Sequence, residues 1–289
     1  MAAPNADRNP LRGIVLLILA VSLFAVLDGL SKVLADTQSV GQILVARYAL
    51  ALPVLLATYR PADWGGLFRT ARPGLQIVRG IAPLLIGGCM VVAVSYLPLA
   101  DATVILFAAP FLVVALSGPL LGERVRPASW IAVAIGFAAV LLVARPGFGD
   151  LSQYAIFPFA AAVFYALFQL LTRRLAAAGE KADTTLAWTL AVGLVVTTPI
   201  AVFAWPPLSD SAWILMIALG IVFGVSQALM VRAFAYASAG LLAPFGYVQI
   251  IAAVIFGLIV FHAVPDLWTL AGMVMITAAG VYVVRSPAD

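Results

Sequence analysis

Residues 90–100 read MVVAVSYLPLA, and residues 230–240, 140 positions later, read MVRAFAYASAG. Met, Val, Ala and Tyr stand at the same places in both stretches. Carried on without a gap, the same spacing pairs Arg145 with Arg285. A fixed spacing inside one chain predicts an internal repeat, in which each half forms one structural unit.

The repeat extends to an apolar run that contains an aspartate. FAVLDGLSK, residues 24–32, falls on YALFQLLTR, residues 165–173, at a spacing of 141. Asp28 is matched by Gln169, and the Ser-Lys that ends the first stretch becomes Thr-Arg in the second. Both halves therefore place a polar side chain at the same point of their first long apolar segment.

The composition is that of a membrane protein. Of 289 residues, 64% are hydrophobic and 10% are charged, whereas soluble domains carry about 25% charged residues. A helix needs about 20 apolar residues to cross a bilayer. The sequence therefore predicts an all-α integral membrane protein with ten transmembrane helices, near residues 13–34, 41–59, 77–98, 101–121, 128–144, 155–175, 186–205, 212–235, 240–260 and 267–284.

The number of spans in each half decides how the two halves are related. Residues 1–147 and 148–289 hold five spans each. Because five is odd, the second half enters the membrane upside down relative to the first. The prediction is two inverted five-helix repeats, a plan typical of carriers that work by alternating access around a site near the midplane.

The basic residues fall on one side of this topology. With the N-terminus in the cytoplasm, Lys32 and Arg145 lie outside, and the inner side receives Arg8, Arg12, Arg60, Arg69, Arg72, Arg79, Arg124, Arg126, Arg173, Arg174, Lys181 and Arg285. Such a bias places both termini of a multi-pass protein of the inner (plasma) membrane in the cytoplasm. The net charge of +4 reflects this asymmetry, so a nucleic-acid partner is not indicated.

Two opposite charges lie at matching depth in the first two spans. Asp28 lies on the outer side of span 1 and Arg47 on the outer side of span 2, while Lys32, at i+4, is also within reach of Asp28. Charged groups inside a membrane pair with each other or face a cavity. Three interpretations remain open: a structural ion pair between packed helices, a site for the ammonium and carboxylate groups of a zwitterionic cargo, or proton coupling through Asp28.

Other polar and aromatic residues near the midplane are candidates for cargo binding. Neutral glutamines both donate and accept hydrogen bonds, and aromatic rings give a cavity apolar walls. For each residue, helix–helix contact or ordinary packing is the alternative. The predicted substrate-binding residues are Asp28, Arg47, Phe107, Tyr165, Gln169, Gln227, Tyr247 and Gln249.

Simpler roles are expected for several remaining residues. Arg79 and Arg232 lie near inner helix ends, where long cationic side chains reach toward the interface. His262 is expected in a solvated link. Gly220 and Gly224 form a G-x-x-x-G pattern, which predicts close approach of two helices.

The motifs and the span pattern together resemble a known family, the drug/metabolite transporter superfamily in its EamA branch of bacterial exporters. YLPLADATVILFAAPFLVVALSGPLLGERV (residues 96–125) is similar to the passage from the third to the fourth helix of that family. VRGIAPLLIGG (78–88) is similar to the start of its third helix, and ARYALALP (46–53) to its second. Within that branch the chain resembles the YddG-like amino-acid exporters. The resemblance covers nearly the whole chain.

The resemblance implies a ten-helix carrier and a small-molecule cargo. It implies export of amino acids or similar amphipathic metabolites, with a nucleoside, a vitamin, S-adenosylmethionine or a toxic organic cation as the alternative cargo. The chain departs from the family where a second glutamate is usual: Phe261, His262 and Ala263 stand there, so Glu123 has no twin.

An intramembrane enzyme is the main alternative of a different class. GFGD, residues 147–150, matches the G-x-G-D string of intramembrane aspartyl proteases, but Asp150 lies in a predicted link without a partner in a span. Zinc, P-loop and nucleophile-elbow motifs are not found. We therefore expect neither an enzyme nor a metal or other cofactor; a channel is less expected than a carrier. The chain is expected as a monomer or homodimer.

Overall fold

The computed structural model of the chain describes residues 9–121, 127–145, 152–203, 205 and 208–285. All regular structure in these residues is helical. The helices are α1 (Pro10–Ala35), α2 (Val40–Leu56), α3 (Trp64–Leu67), α4 (Pro73–Tyr96), α5 (Leu99–Leu106), α6 (Ala109–Leu121), α7 (Pro127–Ala144), α8 (Ile156–Ala177), α9 (Ala182–Phe203), α10 (Asp210–Tyr236), α11 (Ala239–Gly246), α12 (Val248–Phe261) and α13 (Leu267–Arg285).

The apolar helices agree with the prediction of an all-α membrane protein. Among the described residues, seven helices are long and apolar enough to cross a membrane, and three shorter apolar helices lie at Val40–Leu56, Ser129–Ala144 and Leu267–Tyr282. Large apolar side chains point away from the bundle, among them Val15, Phe203, Ile259 and Val274. A surface of this kind requires lipid rather than water around it.

The fourth and ninth predicted spans are each broken into two helices. The chain leaves the helix at Phe107, between α5 and α6, and at Tyr247, between α11 and α12. A proline contributes to the first break, since Pro110 has no N–H to donate to the Leu106 carbonyl, and Pro244 lies three residues before the second. Phe107 and Tyr247 are repeat partners, because they have the same spacing as the two methionines that begin the repeated stretches.

The repeat is also visible in how equivalent helices end. The Leu97 N–H donates to the Ala93 carbonyl at 2.8 Å, and the Ala237 N–H donates to the Ala233 carbonyl at 3.2 Å. Both capping residues have extended backbone, and the next helix starts two residues later. The backbone therefore turns the same way at repeat-equivalent positions.

The links gather at two ends of the bundle, which we name by their charge. The acidic end contains residues 36–39, 97–98 and 262–266, and the basic end contains residues 57–72 and 178–181. At the acidic end the Thr269 hydroxyl donates to Asp101 at 2.7 Å, joining α13 to α5.

One carboxylate joins two links at the basic end. Glu180 accepts from the Thr70 hydroxyl at 2.8 Å, the Ala71 N–H at 2.9 Å and the Gln76 amide at 3.3 Å. The Thr70 hydroxyl is the largest influence that lowers the pKa of Glu180 below its ordinary value. The carboxylate is thus ionised where it fixes the start of α4 against the link between α8 and α9.

The G-x-x-x-G pattern has the predicted role. A Cβ on Gly220 would overlap the Ala46 carbonyl oxygen and lie 2.7 Å from the Leu50 Cβ, and one on Gly224 would lie 3.0 Å from the Ala51 Cα. These contacts leave no room for a side chain, so the two glycines allow α10 to pack directly on the backbone of α2.

Candidate functional site

The predicted pair of opposite charges is present inside the bundle. Asp28 on α1 and Arg47 on α2 are 7% and 5% exposed. The Arg47 Nη2 lies 3.7 Å from the Asp28 Oδ1. This distance is an ion pair but is too long for a hydrogen bond, so the pair leaves donors and acceptors on both groups unused.

A serine completes the cluster. Ser31, one turn after Asp28, donates to the Leu27 carbonyl at 2.6 Å and accepts from the Arg47 Nη2 at 2.6 Å. The Arg47 Nε is buried without an acceptor among the described residues. A guanidinium carries five N–H donors. Arg47 therefore keeps unused capacity for an acceptor other than protein.

Helix α4 leaves space for this guanidinium at a glycine. A Cβ on Gly87 would lie 3.1 Å from the Arg47 Nη1. Three helices, α1, α2 and α4, thus surround the cluster of Asp28, Ser31 and Arg47, which we call the first arginine cluster.

The predicted aromatic residues form a second group. The rings of Phe107 and Tyr247 lie 5.2 Å apart between centroids, so the two helix breaks face each other. Tyr165 belongs to the same apolar cluster, and Gln169 follows it one turn later on α8. Among the described residues no hydrogen bond or ring contact joins this group to Asp28.

The remaining predicted glutamines lie apart. Gln227 on α10 and Gln249 on α12 are half-buried, and within the described part of the chain neither has a hydrogen-bond partner. The structure therefore brings Asp28 together with Arg47, and Phe107 with Tyr247, but it shows no direct contact that unites all eight predicted residues. A cavity of about 100 Å³ lies at the acidic end, and none of the eight lines it.

The prediction that Lys32 reaches Asp28 is wrong. The Lys32 ammonium group donates to the Leu97 carbonyl at 2.9 Å and to the Val94 carbonyl. The last carbonyls of a helix have no intrahelical donor, and a cation is favoured at that negative end. Lys32 thus fastens α1 to the C-terminal end of α4.

The expectation that Arg79 reaches toward the interface is also wrong, because its side chain is buried. The Arg79 Nε donates to the Thr172 hydroxyl at 2.7 Å, and its Nη1 donates to the Thr185 carbonyl at 3.1 Å and to the Thr189 hydroxyl. The guanidinium lies 4.1 Å from the centre of the Phe168 ring.

Sequence reasoning missed this junction of α4, α8 and α9. One signal was available, since Thr172 is the repeat partner of Ser31, which accepts from Arg47. No carboxylate of the described residues pairs with Arg79.

Some predictions concern residues outside those that the structure describes. These are Glu123 with its flanking Gly122 and Arg124, the GFGD string at 147–150, and the boundary between residues 147 and 148. Within the described ranges, no group of three or more His, Cys, Asp or Glu side chains is arranged to hold a metal ion.

Comparisons with known proteins agree with this architecture. The chain is 30% identical over 279 residues to the pseudopaline exporter CntI of Pseudomonas aeruginosa, covering 95% of this chain and 96% of that protein. It is 24% identical to a riboflavin transporter of Vibrio cholerae, over 95% of this chain and 94% of that protein. It is 23% identical to an S-adenosylmethionine uptake transporter of Rickettsia prowazekii, over 98% and 95%.

A solved crystal structure supports the fold. It matches with a TM-score of 0.64 at 18% identity, covering 94% of this chain and 96% of that one. The sequence profile of the EamA-like transporter family matches twice, at residues 11–145 and 153–285, in agreement with the internal repeat. The relatives are transporters rather than enzymes. With its apolar helices, its repeated halves and two family matches that cover nearly all of it, the chain belongs to the EamA-like transporter family.

Proposed function

We propose that this protein is a secondary transporter that exports amino acids or similar small amphipathic metabolites across the inner membrane. Its ten apolar segments act as two inverted five-helix repeats, residues 1–147 and 148–289, working by alternating access as a monomer or homodimer. The distribution of charge between the two ends supports cytoplasmic termini, since the basic end is the cytoplasmic one in this topology.

The first arginine cluster carries this proposal. A carboxylate and a guanidinium are held 3.7 Å apart in the bundle, with the Arg47 Nε unused. The ammonium group of a zwitterion is opposite in charge to Asp28, and its carboxylate group is opposite in charge to Arg47. Binding would replace the long ion pair by short charge-assisted hydrogen bonds. Gln227 and Gln249 add amides without partners among the described residues.

The packing of the broken helices supports alternating access. At the acidic end α5 packs against α12, and α1 packs against α4. The repeat-equivalent pairs are α6 with α11 and α8 with α10, and the described residues of these pairs make no comparable contacts. The packing of these helix pairs thus differs between the two halves, as expected for a carrier of two inverted halves in one of its alternating states.

A cargo with a large planar ring is the second candidate. Phe107 and Tyr247 meet where the two helix breaks face each other, and Tyr165 lies in the same cluster. Aromatic rings at this position suit stacking on a flavin or a nucleoside base. Relatives named as riboflavin and S-adenosylmethionine transporters favour this alternative over a channel or an enzyme.

Counterflow in liposomes tests the proposal. Purified protein is reconstituted, and exchange of labelled amino acids is measured at symmetric pH, with riboflavin and adenosine in the same panel. Amino-acid exchange above protein-free liposomes is the expected result. Exchange of riboflavin or adenosine without amino-acid exchange would assign the cargo to compounds with a planar ring instead of amino acids. No exchange by folded protein would contradict the proposed carrier. A proton gradient then tests energy coupling.

A further inference from the structure

The Arg79 junction contains the repeat counterparts of two residues of the first arginine cluster. In the alignment of the two halves, Thr172 falls on Ser31 and Gln169 falls on Asp28. Ser31 and Thr172 each donate at 2.6 Å to the carbonyl four residues earlier on their own helix.

Each hydroxyl also accepts from a buried arginine that belongs to another helix. The Arg47 Nη2 reaches Ser31 at 2.6 Å, and the Arg79 Nε reaches Thr172 at 2.7 Å. The first helix of each half thus has a hydroxyl that accepts from a buried arginine, although both arginines belong to the first half. We call Arg79 and Thr172, with Gln169 one turn earlier on α8, the second arginine cluster.

The two clusters differ in charge. Asp28 neutralises Arg47 in the first cluster, whereas the second has the neutral Gln169 at the equivalent place. The hydrogen-bond partners of Arg79 are hydroxyls and a carbonyl, and no carboxylate among the described residues pairs with it. A buried cation without a counter-ion is costly, and the Phe168 ring, 4.1 Å away, offsets only part of that cost, so Arg79 favours binding of an anion.

Arg79 also has donors to spare. Its Nε and Nη1 are occupied, but no acceptor for its Nη2 is found among the described residues. Arg79 lies in the second turn of α4, near the basic end. A ligand that enters from this end reaches Arg79 before it reaches Arg47.

We propose that the second arginine cluster is a binding station for a carboxylate group of the cargo. Arg79 supplies the charge, and Gln169 supplies an amide donor one turn before Thr172. Together the two clusters hold two guanidinium groups and one carboxylate, so the full site favours a cargo with one more carboxylate than a simple zwitterion. The inference rests on the proposed function, since it assigns the charge class of that cargo.

Glutamate and glutamine are the probes, because they differ only by a carboxylate and an amide. The thermal unfolding midpoint of the detergent-purified protein is followed as each is added at constant ionic strength. We expect glutamate to stabilise the protein at about a tenfold lower concentration than glutamine, equivalent to about 1.4 kcal/mol. Inorganic phosphate is a third probe, and an equal response to phosphate would change the ligand class from carboxylate to oxyanions in general.

Two variants place the effect at this cluster. Arg79→Gln removes the cation, and Gln169→Glu supplies the carboxylate that the first cluster already has; both are expected to abolish the preference for glutamate. Arg72→Gln and Gln153→Glu make the same changes at exposed positions and should leave it intact. Because Gln169→Glu leaves Arg79 in place, it keeps the test valid if Arg79→Gln does not fold.

The outcomes separate this inference from the proposed function. Equal responses of the wild type to glutamate and glutamine would overturn the carboxylate station, even if counterflow shows that the protein is a carrier. A preference that survives in both Arg79→Gln and Gln169→Glu would also overturn it. Absence of counterflow with a retained preference would instead contradict the carrier.

Discussion

A double-mutant cycle on Asp28 and Arg47 separates a structural ion pair from a cargo site. Asp28→Asn leaves a buried guanidinium without its counter-ion, and Arg47→Gln leaves a buried carboxylate without its own. The double variant, Asp28→Asn with Arg47→Gln, leaves two neutral amide-bearing side chains at the same positions. Asp36→Asn is the control, because Asp36 lies exposed in the link after α1.

The size of the effect follows from the geometry. Two unit charges 3.7 Å apart attract by about 4 kcal/mol at an effective dielectric constant of about 20. Removing one partner of a buried pair costs about 3–5 kcal/mol, since the other charge remains desolvated. We therefore expect each single variant to lose about 3 kcal/mol of stability, and the double variant to lose about the same rather than twice as much.

Stability and transport are measured on the same preparations. Thermal unfolding in detergent gives the coupling between the two residues, and counterflow of the cargo gives their role in transport. A double variant that is stable and still transports would make the pair structural. A double variant that is stable and does not transport would place the pair in the cargo site. Additive losses of stability, in which the double variant loses the sum of the two single losses, would refute the electrostatic reasoning.

Three further predictions concern stability alone. Gly220→Ala should lower the free energy of unfolding by about 1–3 kcal/mol or more, because its Cβ would overlap a backbone carbonyl oxygen of α2. Gly257→Ala has open space around the added methyl group and should raise the free energy of unfolding by about 0.5–1 kcal/mol. Thermal unfolding of the two variants compares these effects. The Thr70 hydroxyl helps hold the pKa of Glu180 below its ordinary 4.5, so this carboxylate stabilises the fold above pH 4.5 and loses that effect as the pH falls further; Glu180→Gln should lose this part of the pH dependence. His262 ends α12 with a φ of 52°, a left-handed conformation, so His262→Gly should raise stability by about 1 kcal/mol, as denaturation should show.

The sequence predicted those features that depend on patterns along the chain. Apolar length located the helices, and the fixed spacing of the repeat anticipated the matching helix ends at Leu97 and Ala237. The pairing of Asp28 with Arg47 was also predictable, because both charges lie inside apolar runs at the same depth. Each of these inferences needs only the position of a residue along its own helix.

The features that the sequence missed depend on partners far along the chain. Lys32 donates to carbonyls that lie 62 and 65 residues away, and the sequence does not show which backbone carbonyls lack a donor. Arg79 binds threonines on two helices, 93 to 110 residues away, so its burial could not be inferred from its place near a helix end. The helix breaks at Phe107 and Tyr247 were missed because a single proline near each position is equally compatible with a kink in a continuous helix.

The two arginine clusters and the two helix breaks belong to one arrangement. The breaks meet at the Phe107–Tyr247 contact, which places the half-helices of one repeat beside those of the other. The first cluster joins α1 to α2 within the first repeat, and the second joins α8 and α9 of the second repeat to α4 of the first. A cargo bound at both would link the halves through its own charges. Because the clusters are not equal in charge, such a cargo has a preferred orientation in the bundle, with its extra carboxylate toward the basic end. The difference in charge between Asp28 and Gln169 thus allows the two proposed inverted repeats to distinguish the two ends of the cargo.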